Sequence, residues 1–570
     1  MIFYITDSSE NLDKDLYKNK DIQICTLGFS KDKKILSLAR YIEENSFVLR
    51  SRYIEFIDEL AQKKLGSKKI IDILKIHNNY SYWFSSSLFE KSIYSQNYSD
   101  SIRLLAIQDI IKKNKISKIF LSIDSILLAK SLNELCIDEN VEIIIQNKTQ
   151  GLLFNIFRNS FILNFTRSLI FFMKLSLRKF SKKEIEIDKE GILFISPLSY
   201  LNTKIDENYL KFNSNLWSGI PELFENKSIN ANFLHIFSPH QEIESPKQAS
   251  KLINVLNKSN KSNHYLMDIN LPFLDKCFIF YNWLKISFKF IFYRKTKKIF
   301  YLKDSNVNLY KILNKNFMDT FMGPNLIYCM FAYKYLEKKI DLFLNSKKIF
   351  FLHENQGWEN IVTFIVNTNS KNKLYAVPHS TIRFWDLRHF HSKLLNKSDH
   401  SINIDYYLIN SQHGKDHYEN NYGDINIIEC EALRYREKPK SSMDYSNELL
   451  VLLDYSRIYT ENMMSFLEEY ERNYPNNIKF VFKEHINSPI ELKKYKFASA
   501  EKTSQSINTV LNKYKKCFCS NMTSAQVDAY TFGLDVLVFH DGKELDMSPL
   551  KGNEFVKQIN TIDDLKSHIE

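Results

Sequence analysis

The stretch "SNMTSAQVDAYTFGLDVLVFHDG", residues 520–542, follows the short apolar run "KCFCS" (516–520). It reads as strand, polar loop, helix, glycine, strand. Ser520, Asn521, Thr523 and Ser524 stand where the helix begins, Asp528 one turn inside it, and "LDVLVF" is the next buried strand. The first N–H groups of a helix have no internal partner and carry partial positive charge. Hydroxyls there either cap the helix or help hold an anionic phosphate. The chain has only 12 glycines in 570 residues, yet Gly533 and Gly542 both fall here. Gly533 is expected at the helix end, where left-handed geometry is wanted. Successive strand–helix–strand units of this kind build a parallel α/β sheet.

One unit upstream, "IKFVFKEHINSPI" (478–490) ends a strand with Lys483, Glu484 and His485. A cation and an imidazole at a strand's carboxyl end can grip the same phosphate from the other side, or serve as solvated turn residues. The rhythm extends back through "NELLVLLDYS" (447–456) and "INIDYYLINSQHGKDHYEN" (402–420). A Rossmann-like unit over 397–570 is therefore expected, carrying the donor candidates Lys483, His485, Ser520, Thr523, Ser524 and Asp528.

The same alternation fills 1–396, as in "KISKIFLSID" (115–124), "GILFISPLSYLN" (191–202) and "ANFLHIFSP" (231–239). A second Rossmann-like domain facing the first would leave a ligand cleft between them. "KKIFFLHENQGWENIVTFIV" (347–366) places His353, Glu354, Asn355, Gln356 and Glu359 between a strand and a helix. In open α/β sheets this is where binding and catalytic side chains collect. A carboxylate here can take a proton from an acceptor hydroxyl, with Glu354 the first candidate and Glu359 the second; alternatively both favour the first helical turn. "VPHSTIRFWDLRHFH" (377–391) adds His379, Ser380 and Arg383 as cleft or acceptor candidates, with Trp385 and Arg388 as further side chains suited to sugar and phosphate or else a buried Trp and a surface arginine, and "ECEALRY" (429–435) adds Arg434.

Residues 151–190 interrupt the rhythm as an apolar, aromatic insertion punctuated by Arg158, Arg167, Lys174, Arg178 and Lys179, and 277–303 is similar. Charges recur too often for a spanning helix. Two readings stand: a core helix with a basic solvated face, or an in-plane amphipathic helix on an anionic membrane. The net charge of +12 favours anionic partners in general. No helix-turn-helix, RRM or zinc module points to nucleic acid. The seven cysteines are scattered and odd in number, which fits reduced core thiols of a cytoplasmic protein. "MIFYITDSS" has no basic start or long apolar run and is expected to be a first strand.

The ordered set "YWFSSSLFEKS" (82–92), "FNSNLWSGIPELF" (212–224), "ENQGWE" (354–359), "PHSTIRFWDLRHF" (378–390), "ECEALRY", "FKEH" and "DGKELDMSPLKG" (541–552) resembles bacterial surface carbohydrate biosynthesis proteins. That family implies a GT-B glycosyltransferase of two facing Rossmann-like domains. More distantly, the C-terminal half looks like bacterial sialyltransferases and capsule Kdo transferases. Lys483 with His485, and Thr523 with Ser524, would then hold the CMP part of a nucleotide sugar; the chain has "KEHI" where those enzymes have prolines. The resemblance implies transfer from a nucleotide sugar, with a CMP-linked acidic sugar favoured, to a surface glycan or lipid-linked precursor. It leaves two alternatives, a polyol-phosphate-type transferase with a CDP-linked donor and a non-catalytic assembly scaffold. No D-x-D motif stands at a strand end, so neither metal nor a separate cofactor is expected. The protein is expected in the cytoplasm or peripherally on the inner face of the cytoplasmic membrane.

Overall fold

In the computed structural model the described residues are those from 1 to 569 other than 8–20, 31, 93–95, 147–160, 179–190, 199–211, 213, 215, 218, 240–242, 261, 268–269, 293–295, 379–380, 393–401, 420–424, 431–447, 476–477 and 486–487. Three main sheets, all parallel, run along the chain. The first has β1 (Ile2–Thr6), β2 (Ile22–Thr26), β3 (Leu36–Ser37), β4 (Lys118–Ser122) and β5 (Glu142–Ile145) in the order β3-β2-β1-β4-β5. The second has β6 (Gly191–Pro197), β7 (Ala231–Ile236), β8 (Asn263–Met267), β9 (Ser346–Leu352), β10 (Lys373–Val377), β11 (Tyr406–Ile409) and β12 (Ile427–Glu429), in the order β8-β7-β6-β9-β10-β11-β12. The third has β13 (Glu448–Leu452), β14 (Lys479–Lys483), β15 (Ala500–Lys502), β16 (Lys516–Ser520), β17 (Asp535–Phe539) and β18 (Lys557–Ile559), in the order β15-β14-β13-β16-β17-β18.

Each sheet grows outward from its first strand in one direction and then, after its third, in the other. This is the doubly wound order, with a crevice at the carboxyl ends of the first and fourth strands. The parallel α/β architecture expected from the sequence is present, but the stretch 1–396 is shared between two sheets. Strands β11 and β12, expected in the C-terminal unit, pair with β10 and with each other instead. The chain therefore passes to its last sheet after Glu429, not at 397. The segment 151–190 lies in the chain between the first and second sheets; its described part, 161–178, is the helix Phe161–Ser176 and the two residues after it.

The first two sheets share one continuous core, reaching from Phe3 and Ile5 through the helices Tyr310–Met322 and Pro324–Lys338 to Leu374 and Ile409. The third sheet has two cores, one on each face. Leu449, Val451, Phe480 and Phe518 point to one, and Leu450, Leu452, Cys517 and Cys519 to the other, the two-residue period of a strand covered on both sides. Cys517 and Cys519 are thus buried core thiols.

Gly533 and Gly542 both take left-handed backbone, with φ of +81° and +79°. A Cβ on Gly533 would meet nothing within 4 Å, whereas one on Gly542 would lie 2.8 Å from the Phe29 backbone nitrogen and from the Ala39 side chain. Gly542 thus sits where the loop after β17 presses on the first sheet. There Phe29 N–H donates to the Asp541 carbonyl (3.3 Å) and the Phe29 ring meets His540 edge-on at 5.0 Å. Gly533→Ala is expected to cost about 1–2 kcal/mol, the left-handed penalty alone. Gly542→Ala adds a backbone clash and should cost about 3 kcal/mol or more; equal losses in denaturant melts would refute the distinction.

Candidate functional site

The crevice of the second sheet opens between β6 and β9, and the polar loop 353–356 follows β9. His353 N–H continues the ladder to the Val377 carbonyl at 3.0 Å, and Asn355 then turns left-handed, φ +56°. That turn is clamped by the segment Phe84–Phe89: Asn355 Nδ2 donates to the Phe89 carbonyl (2.8 Å) and Asn360 Nδ2 to the Phe84 carbonyl (2.9 Å). The "YWFSSSLFEKS" motif therefore shapes this loop.

The clamped loop arranges its carboxyl groups unequally. Glu359 is 2% exposed; its oxygens accept Glu354 N–H at 3.0 Å, and Oε2 lies 3.2 Å from His353 Nδ1. Burial, with the neighbouring Glu354 charge, raises the Glu359 pKa well above the carboxylate range, and burial lowers that of His353 to about 4. Both shifts favour the uncharged forms of the pair. Glu359, the second candidate base, is enclosed and orients the loop. Glu354 keeps a partly open carboxyl group, with Gln356 Nε2 donating to it at 2.8 Å and Arg388 Nη1 3.5 Å away. Gln356 is fixed in turn by the Trp358 indole N–H, at 2.7 Å.

Arg388 belongs to the loop after β10 and is itself buried. Its Nε and Nη2 donate to the two oxygens of Asp386, each at 2.8 Å. Burial alone would raise Asp386, but the guanidinium overrides it and holds the carboxylate far below its usual range. Glu90, on the short helix Ser87–Glu90, joins this cluster from the first part of the chain. Burial lifts its pKa to about 7, opposed by Arg388 and reinforced by Glu359, Glu354 and Asp386. Lys91, beside it, donates to the Phe89 carbonyl (3.0 Å) and lies 3.2 Å from His391 Nδ1. Arg388 was a sequence candidate for binding; Glu90 and Asp386 were not, although both lie within quoted motifs.

In the third sheet the crevice opens between β13 and β16, at the stretch 520–524. Asp454, one residue beyond β13 and its following Leu453, is fully buried; it accepts Ser456 N–H (2.8 Å) and the Ser520 hydroxyl (3.1 Å). Ser520 thus braces the loop. Thr523 is 8% exposed and Asp528 7%, while Ser524 is half-buried at the start of the helix Ala525–Thr531. Lys483 ends β14 and is half-buried; His485, also half-buried, lies edge-on to Tyr455, ring centroids 6.1 Å apart. Lys483 and His485 therefore flank β13 on one side and Thr523 and Ser524 on the other, at the same end of the sheet. Glu484 is spent on shape, accepting Ile490 N–H (2.9 Å) and Lys502 Nζ (2.7 Å).

The two crevices meet. Arg383, in the loop after β10, donates Nη2 to the Met522 carbonyl at 3.0 Å, and its charge reaches Asp454. Below this contact, Tyr98 hydroxyl lies 3.3 Å from Met547 Sδ, Ser99 donates to Glu544 (3.3 Å), and Lys551 pairs with Glu43. The "DGKELDMSPLKG" motif is thus the strap that fastens the last unit to the first. His379, Ser380 and Arg434 lie outside the described residues. Among the described residues no three His, Cys, Asp or Glu side chains are grouped to hold a metal ion.

No protein-family model matches this sequence, and no curated protein does. Among solved structures the chain is similar to TarM, at 12% identity and TM-score 0.35, over 67% of this chain and 91% of that one. It is also similar to the glycosyltransferase SnogD from Streptomyces nogalater, at 8% identity and TM-score 0.33, over 65% and 87%. A third is a UDP-forming α,α-trehalose-phosphate synthase from Burkholderia xenovorans, at 8% identity and TM-score 0.31, over 66% and 90%. Likenesses this distant carry no argument about chemistry, and the site stands on its own geometry.

Proposed function

We propose that the protein is a glycosyltransferase moving a sugar from a nucleotide-sugar donor, a CMP-linked acidic sugar by preference, onto a bacterial surface polysaccharide or its lipid-linked precursor. The observation that carries this is the meeting of two doubly wound crevices across the Arg383–Met522 contact. One is lined by hydroxyls, a lysine and a histidine, the other by a carboxyl cluster. In open α/β sheets such crevices hold nucleotides and their reacting groups.

In this reading the donor's nucleotide rests on the third sheet. Lys483, His485, Thr523 and Ser524 take up charge on the phosphate as its bond to the sugar breaks. The Glu354 carboxylate takes the proton of the acceptor hydroxyl as the glycosidic bond forms. Glu359 and His353 hold the Glu354 backbone in place, and Arg388 orients its side chain. Preset charge of this kind is usually the largest single contribution to the rate.

The test is a titration with CMP and UDP, repeated with His485→Ala and Ser524→Ala. Losing one hydrogen bond to a charged phosphate should weaken CMP binding about tenfold or more. Unchanged affinity in both variants would remove these residues from the donor site.

A further inference from the structure

The helices of the two basic-aromatic stretches are apolar on both faces, packing Leu175, Ile279, Trp283 and Phe290 inward yet leaving further apolar residues outside. Phe161–Ser176 buries Asn164 and Ser168 and leaves Ile162 (72% exposed), Ile170 and Met173 outside, with Leu177 just beyond at 77%. These apolar residues share one stripe of the helix. Phe273–Phe292 repeats the pattern with Leu274 (80% exposed), Phe278, Tyr281 and Phe288. The helices lie side by side: Phe165 stacks on Trp283 at 4.9 Å, Phe172 meets Phe280 at 5.0 Å, and Lys276 donates to the Ser176 carbonyl.

The charge around this apolar surface is nearly all of one sign. Arg167, Lys174 and Arg178 accompany the first helix, with no acid between 161 and 178. Lys276, Lys285 and Lys289 accompany the second, whose only acid, Asp275, is paired with Lys338 at 2.7 Å. No helix among the described residues is long and apolar enough to cross a membrane. An exposed apolar stripe bordered by cations matches the boundary between anionic headgroups and acyl chains. We propose that the outer faces of these two helices form a docking surface for an anionic lipid bilayer, both helices lying in the membrane plane.

This surface is independent of the transfer reaction, so its test needs no substrate. The whole protein is floated with vesicles of phosphatidylcholine alone or with about 30% phosphatidylglycerol, at about 50 mM salt. It should float with the anionic vesicles, and raised salt should release it. Replacing Ile170 and Met173 together by glutamine should lower the floated fraction about tenfold with no change in Tm. Phe555→Gln, an exposed aromatic in the third unit, should change nothing. Lys174→Glu with Lys285→Glu should abolish the preference for phosphatidylglycerol. Absence of flotation, or a double glutamine variant that floats like the wild type, would overturn the proposal. So would a wild-type dimer that the double variant makes monomeric, which would assign the face to a second copy of the chain.

Discussion

Arg388→Met should lower stability by about 3–5 kcal/mol, read as a shift in denaturant midpoint at unchanged slope. The guanidinium is 4% exposed and its two parallel bonds to Asp386, 2% exposed, are the main compensation for burying that carboxylate. It also faces Glu354 at 3.5 Å and opposes the charge of Glu90. Without it, Glu90, Glu354 and Asp386 crowd a buried site in which Arg383 is left as the arginine charge acting on Asp386. Arg388→Lys should recover little, since a point charge cannot bond both Asp386 oxygens at once. Removing both partners, as Arg388→Met with Asp386→Leu, should recover much of the loss, because an apolar pair leaves no buried charge behind. If Arg388→Met costs under about 1 kcal/mol, the cluster is wetter than its burial implies.

The second large effect is on the reaction. Glu354→Gln should lower kcat by about a hundredfold or more while leaving nucleotide binding intact, the loss expected when a positioned base is removed. Glu359→Gln should act differently, loosening the loop that Glu359 fixes through Glu354 N–H and lowering stability along with rate. Comparable, modest losses of rate in both variants, with stability kept, would refute the division of roles.

Glu90 adds a pH dependence to both measurements. Its folded pKa, about 7, is above that of an exposed glutamate, so the folded state holds a proton that the unfolded chain has released. Its contribution to stability is complete below the ordinary carboxylate range and is lost as pH rises through about 7. Glu90→Gln should therefore raise Tm at pH 8 and change it little at pH 4. In the transfer assay, ionised Glu90 adds a third negative charge to those of Asp386 and Glu354 around Arg388. The rate should thus inflect near pH 7 in the wild type, and the inflection should disappear in Glu90→Gln.

The sequence by itself determined the local units. Short continuous apolar runs in "NELLVL", "KFVF" and "KCFCS" marked strands because a strand buried on both faces must be apolar throughout. The polar groups after "KKIFFL" marked a strand end, since side chains there are neither paired in the sheet nor packed beneath a helix. Those signals are local, and they brought Glu354, Lys483, His485 and the 520–524 loop to the correct ends of their strands. Which strands share a sheet was decided only in three dimensions. Pairing of β11 with β10 depends on edges meeting in space, and the sequence of neither strand records it. The joining of Glu90 to Asp386 and Arg388 was equally invisible: Glu90 lies about 300 positions from the other two, and their burial and mutual charge exist only once the first and second sheets close over a common core. Gly542 shows both levels together, for the chain reserves a glycine that only the docking of the last unit onto Phe29 explains.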